Sequence, residues 1–290
     1  MIFITGATGF VGKNLLDKLE QLRIKSICLS RDVNKTDSKR WQHASFVVGT
    51  LFSDDVLKKC IKKDDIVIHL ANVTDACNPE IYYVNVEGTR NLVNICKAKK
   101  IKKFIYLGSA NACKKNKDKY DKSKFLAELL VKNAGMHYIV IRPGVIYGKY
   151  DVKNISCTIN ALNKTKIKVF LNGKKDIQPV YAGDVVEIIA NNLESKKDKI
   201  LNVLTPPINK KEFIKTITRA FNFKTLNIFI PSWLSFTILS LLRKNKSETI
   251  GFSMKDLEQE LGKAPTSFYN GLKILKSNQE NENLIIERTN

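Results

Sequence analysis

Thr5-Gly6-Ala7-Thr8-Gly9-Phe10-Val11-Gly12 decides the fold. Before it stands Ile2-Phe3-Ile4, a short apolar run that reads as a buried strand. After it, residues 13–21 carry Leu15, Leu16 and Leu19, with Leu22 just beyond, at helical spacing. Three glycines three apart at a strand-to-helix junction suit one task. Gly6 permits a sharp turn, Gly9 lets the backbone approach a pyrophosphate with no Cβ in the way, and Gly12 lets the helix pack closely on the strand. The amides and dipole of the helix N-terminus then face the phosphates.

Working outward, further apolar strands are expected at 26–29, 46–48, 66–70, 104–107 and 139–141, with helical stretches between most of them. Strands apolar throughout and alternating with helices imply a parallel sheet covered on both faces, an α/β fold of the Rossmann-type doubly wound kind. An NAD(P)-binding domain is expected over 1–150, with a returning segment near 176–204. Residues 151–290 are expected to form a smaller, mostly helical substrate-binding lobe, with helices at 211–220, 233–242 and 254–261.

With 290 residues and 43% of them hydrophobic, the chain can bury one large or two small cores, which excludes wholesale disorder. Lys+Arg 49 against Asp+Glu 28 gives a net charge of +21, and all but eight of those cations are Lys. A nucleic-acid reader concentrates Arg and aromatics on one stripe or carries a recognisable module, so the Lys excess is read as solvated helix faces and no nucleic-acid partner is expected. The six cysteines hold no CxxC pair and the three histidines are scattered, so no metal site is expected. No charged-then-apolar leader precedes the first strand, which points to the cytoplasm and reduced thiols. The apolar run 226–242 is short of the ~20 residues of a spanning helix and is interrupted by Pro231, Ser232, Ser235, Thr237 and Ser240. A buried or amphipathic helix of the lobe is preferred there over an interfacial membrane contact helped by Arg243, Lys244 and Lys246.

At the end of the second strand, where an acid would hold the ribose hydroxyls of NAD, the chain has Ser30-Arg31-Asp32. A guanidinium favours a 2′-phosphate, so NADP(H) is favoured over NAD(H), with Asp32 keeping NAD in play. Tyr120 and Lys124 lie one turn apart at the start of a helix that continues through Leu126, Leu129 and Leu130. A neighbouring ammonium and a positively charged nicotinamide favour phenolate, which is expected to bring Tyr120 toward the working range of an acid–base catalyst. Lys124 can also hold the nicotinamide ribose. Ser109, just past the fifth strand, can donate to a substrate oxygen that gains or loses carbonyl character.

With these residues in place, the chain resembles the short-chain dehydrogenase/reductase superfamily, in particular its extended branch, the NAD-dependent epimerase/dehydratase family. The resemblance also covers Val67-Ile68-His69-Leu70-Ala71, the stretch 85–92, Arg142-Pro143-Gly144-Val145-Ile146-Tyr147-Gly148, the stretch 178–186 and the tail pattern 261–272. It implies that Gly6, Gly9, Phe10, Val11, Arg31, Leu70 and Ala71 contact the cofactor, with Pro143 opening a segment near the nicotinamide. Ser109, Tyr120 and Lys124 would form the catalytic set, and Asn85 matches an Asn that supports a proton relay. The implied activity is that of an oxidoreductase or epimerase acting on a hydroxyl/carbonyl carbon, with a nucleotide sugar as one candidate substrate. A homodimer paired through the helix that carries Tyr120 is implied as well.

Three departures narrow this. Thr50 stands where an acid near the adenine is common. Ala110-Asn111 replaces the Asp-Glu pair with which nucleotide-sugar 4,6-dehydratases eliminate water, so that activity is not expected. The separation from Ser109 to Tyr120 is 120 − 109 = 11 residues, short for a sugar-nucleotide epimerase. The short loop, with Arg31, leaves an alternative open: a non-catalytic NADPH-binding accessory or assembly subunit similar to the one in respiratory complex I.

Overall fold

Alternation inside single strands shows how the sheet separates two cores. In β1 (Ile2–Thr5), Ile2 and Ile4 enter one core and Phe3 the other. The same split divides Ile66 and Ile68 from Val67 in β4 (Ile66–His69), Ile105 and Leu107 from Phe104 and Tyr106 in β5 (Lys103–Leu107), and Ile139 and Ile141 from Val140 in β6 (Tyr138–Pro143). Successive side chains of a strand point to opposite faces, so a strand that is apolar at every position must be covered on both. Each such side chain, fully buried, contributes about 1.5–3 kcal/mol.

The computed structural model describes residues 1–32, 39–164, 167–171, 176–224, 226–230 and 254–289. Its main sheet has seven parallel strands in the order β10-β6-β5-β4-β1-β2-β3, with β2 at Ser26–Ser30, β3 at Ala44–Val48 and β10 at Lys199–Val203. The order reverses between β1 and β4, where Ile2 pairs with Ser26 on one side and Ile66 on the other. Ligands bind at such a switch point, outside the carboxyl ends of the strands.

On one face lie α1 (Phe10–Gln21) and α6 (Ala182–Asn191), joined through Leu15, Leu16 and Leu19 against Val185, Ile188 and Ile189. On the other lie α2 (Asp54–Cys60), α3 (Gly88–Lys99) and α4 (Lys119–Lys132), burying among others Leu57, Leu92 and Val131. A single π-helical turn, Tyr83–Glu87, leads into α3.

After β7 (Val145–Tyr147), the parallel partner of β9 (Pro179–Tyr181), a third core forms from α5 (Ile155–Asn163), α7 (Lys210–Phe221) and the C-terminal helix Phe268–Thr289. Phe268 stacks on Phe213 at 5.1 Å and meets the Tyr147 ring edge-on at 5.2 Å. A Cβ on Gly271 would stand 2.0 Å from the Tyr147 hydroxyl, so the helix docks on that ring through bare backbone.

The structure departs from two expectations here. Residues 226–230, expected to begin a helix, form β11 (Leu226–Ile230), a parallel partner of β8 (Ile167–Leu171) with Leu226 opposite Ile167. Periodicity alone does not separate a short apolar strand from a buried helix. The expected helix at 233–242 and the basic residues 243–246 lie outside the described residues. Met254–Leu261 is helical, but Leu257 and Leu261 join the first sheet core beside α6 and β10, and Glu260 accepts from Asn192 at 2.9 Å and Lys199 at 2.7 Å. An amphipathic period marks which face is buried, and carries no record of what covers it. Among the described residues no helix is long and apolar enough to cross a membrane.

Candidate active site

The glycine turn closes against the switch point. Gly6 has φ +74°, and a Cβ there would lie 2.5 Å from the Ala71 nitrogen and 2.7 Å from the Leu70 carbonyl carbon. Leu70 and Ala71, just past β4, are thus held against the turn by backbone contact. A Cβ on Gly12 would lie 2.2 Å from the Gly6 oxygen, whereas on Gly9 it would meet that oxygen at 3.2 Å and no other atom closely. Gly6 and Gly12 are closed in by protein and Gly9 faces outward. Gly9 is also the N-cap of α1, with no side-chain cap bond and no acid in the first turn, where Phe10 and Val11 are half-buried. Uncapped amides and an uncompensated positive helix end fit an incoming pyrophosphate. At the end of β2, Ser30 binds the backbone of Asp32 in a tight turn, and Arg31 between them is exposed and pairs with no carboxylate among the described residues.

Parallel strands put all their carboxyl ends on one edge. That edge therefore gathers Gly6 after β1, Arg31 after β2, Leu70 and Ala71 after β4, Ser109 after β5 and Pro143 at the end of β6. Ser109 caps the 3-10 turn Ala110–Cys113, its Oγ accepting from Asn111 N at 3.2 Å, which leaves its own proton to donate. Asp118 caps α4 by accepting from Asp121 N at 2.8 Å, starting the helix one residue before Tyr120. One turn on, Lys124 is buried with Nζ 4.4 Å from the centroid of the Tyr106 ring.

Asn85, in the π-helical turn, has its amide fully engaged. Nδ2 donates to Val73 O and Ser123 Oγ, both at 2.9 Å, and Oδ1 accepts from Val73 N at 2.7 Å. Ser123 Oγ donates in turn to Tyr120 O at 2.7 Å, so Asn85 ties the loop after β4 to the first turn of α4.

The electrostatics correct one expectation. Burial pushes the Tyr120 phenol up to about 12, with the nearby Asp121 and Asp118 carboxylates adding to it, instead of the ammonium bringing it down. Burial pushes Lys124 down to about 7, against support from Glu128. In the chain by itself, taking the charged forms out of water dominates at both residues.

Two features escaped the sequence reading. His69 is buried and pushed down to about 3 by that burial and by Lys124. Thr89 Oγ1 donates to Asn85 O at 2.6 Å, so it accepts from His69 Nε2 at 2.9 Å, which leaves Nδ1 to accept from Thr5 Oγ1 at 2.6 Å. The second feature is a buried ion pair joining α4 to β6. The Arg142 guanidinium grips both carboxylate oxygens of Glu128, with Nε at 2.9 Å from one of them. The spacing on α4 marks only that Glu128 lies on the face of Tyr120 and Lys124; nothing local marks its partner on β6.

Known proteins share this fold. Among solved structures, UDP-glucose 4-epimerase of Thermotoga maritima superposes with a TM-score of 0.79 at 18% identity, covering 97% of this chain and 99% of that one. UDP-N-acetylglucosamine 4-epimerase of Methanobrevibacter ruminantium gives 0.77 at 18%, covering 94% and 96%. At these identities they show the fold. A sterol-4-alpha-carboxylate 3-dehydrogenase of Saccharomyces cerevisiae is 27% identical over 181 residues, spanning only about half of each protein, 52% of both. N-acetyl-alpha-D-glucosaminyl-diphospho-ditrans,octacis-undecaprenol 4-epimerase of Escherichia coli O157:H7 is 24% identical, covering 79% of this chain and 75% of that protein. The model of the NAD dependent epimerase/dehydratase family matches residues 2–203, from β1 through β10, and the chain belongs to that family.

Proposed function

We propose that the protein is an NAD(P)-dependent oxidoreductase or epimerase that acts on a hydroxyl/carbonyl carbon of a nucleotide sugar, with Tyr120 as its acid–base group. What supports this reading is Ser109 just past β5, on the same carboxyl edge as the uncapped glycine turn, with Tyr120 and Lys124 in the first turns of α4 and Lys124 Nζ 4.4 Å from the Tyr106 ring near the end of β5. The same set favours an enzyme over the accessory-subunit alternative, since a binder has no use for it.

Gly6, Gly9, Gly12, Phe10 and Val11 would hold the pyrophosphate at the head of α1, Leu70 and Ala71 would line the dinucleotide, and Pro143 would border the nicotinamide. The bound nicotinamide supplies an acceptor or donor of hydride at the substrate carbon. Ser109 donates to the reacting oxygen, Tyr120 takes up or returns its proton, and Lys124 holds the ribose and steadies the phenolate. A phenol pushed up to about 12 in the free chain favours the protonated form, the form needed when a carbonyl is reduced. Asn85 keeps Tyr120 in register through Ser123. We favour NADP(H) over NAD(H) on Arg31, which is exposed and pairs with no carboxylate among the described residues.

We also propose a cytoplasmic homodimer. The outer faces of α3 and α4 form a groove of about 780 Å³ lined by Val93, Leu129 and Leu130, with Tyr83 and Leu126 exposed beside it.

Mass spectrometry of the denatured native protein identifies any nucleotide it retains, and incubation with UDP-glucose and UDP-N-acetylglucosamine tests the reaction. Conversion to the 4-epimer without net absorbance change at 340 nm marks an epimerase, and a net change marks a dehydrogenase. Sterol 4-carboxylates are the comparison set; turnover of these alone would overturn the nucleotide-sugar assignment. Retained NAD would overturn the reading of Arg31.

A further inference from the structure

Lys124 lies where water scarcely reaches it, 2% exposed, and that burial works against its charge. The groups that bear on that ammonium come from three elements. From β5, the face of Tyr106 lies 4.4 Å from Nζ, a cation–π contact in a desolvated place. From β4, His69 faces it in neutral form, its ring held by Thr5 and Thr89, so it adds no second positive charge. On α4 itself stand Tyr120 one turn before and Glu128 one turn after, with Asp121 near Tyr120. Glu128 cannot swing toward the lysine, because Arg142 of β6 holds both its oxygens; it acts through its field from a fixed position. The Tyr106 hydroxyl, 3.5 Å from Lys124 O, makes a weak second contact to the same residue.

We propose that Tyr106 and Glu128 are positioning residues that keep the Lys124 ammonium in place and charged, Tyr106 through its ring face and Glu128 through a carboxylate that Arg142 pins. The inference rests on the proposed function only in making a charged Lys124 useful; the cage itself is a property of the chain.

The test is a carbon-13 NMR titration of the nucleotide-free protein labelled at the lysine ε-carbon, with the Lys124 signal assigned by its absence in Lys124→Met. Tyr106→Phe keeps the ring face and should leave the Lys124 proton affinity within about threefold of the parent. Tyr106→Leu should lower it by about threefold or more, and Glu128→Gln by as much or more. If Glu128→Gln does not fold, the Tyr106 pair decides alone, because both replacements are apolar and of suitable bulk. Equal losses in the Phe and Leu variants, or an unmoved midpoint in Leu, would overturn the proposal. Failure to find turnover on any substrate would leave these midpoints where they are, so the cage and the proposed activity fail separately.

Discussion

In the sheet half of the molecule, neighbours in the chain become neighbours in space: β1 pairs with β2 and β2 with β3, then β4 with β5 and β5 with β6. In the lobe the partners are far apart. Tyr147 waits for Phe268 and Gly271, and β8 for β11. The residues proposed for chemistry lie in the first region, just past strand ends or on the helical turns packed against them. The second region is held together by a few long-range contacts, which leaves it free to change without disturbing the reacting groups.

That division can be broken or sharpened by experiment. The largest effect should come from Tyr120→Phe, which keeps the ring and removes the proton: turnover should fall by about 10²–10⁴ with nucleotide affinity unchanged, as read by steady-state rates beside nucleotide titration. Next, Gly12→Ala sets a Cβ 2.2 Å from the Gly6 oxygen, and should cost about 1–3 kcal/mol of stability together with most of the nucleotide affinity. Gly271→Ala meets the end of a side chain, Tyr147, and should cost toward the lower end of that range, raising the KM for substrate while sparing nucleotide binding. An equal loss of nucleotide affinity in both glycine variants would show that the two regions are not separable.

The last effect is one of pH, and it touches stability alone. His69 is pushed down to about 3 in the fold from an ordinary value near 6.5, so between those limits the unfolded chain binds a proton that the native one refuses. Its contribution is intact above about pH 6.5 and is lost as pH falls toward 3, with a slope of at most about 1.4 kcal/mol per pH unit. Denaturant melts at pH 7, 6 and 5 should show that slope, and it should flatten in His69→Gln.

What was legible in the sequence follows the same division. The strands β1 to β6 and the glycine turn announce themselves, because continuous apolar runs and three spaced glycines are local signals. Tyr120 and Lys124 were legible for the same reason, being four apart on one helix. Residues 226–230 were not, because a five-residue apolar run looks alike as strand or helix. Nor was the destination of 254–261, since Leu257 and Leu261 mark a buried face without naming its cover. The shift of Tyr120 was misread because burial, which depends on the whole fold, outweighs the pairing that the spacing suggests. Glu128 with Arg142, and His69 with Thr89, escaped notice because their partners meet across elements.

The packing of α1 on α6 has a consequence for synthesis. Helix α1 leaves the ribosome carrying Leu15, Leu16 and Leu19 as an apolar stripe, and the stripe that covers it, Val185, Ile188 and Ile189, follows about 170 residues later. At 5–20 residues per second that is roughly 10–30 s during which the nascent chain shows an uncovered greasy face. Holding chaperones should therefore engage this chain early and release it only once α6 has emerged. Truncations that stop before residue 182 should aggregate even though they contain the complete glycine turn and six of the seven strands of the main sheet.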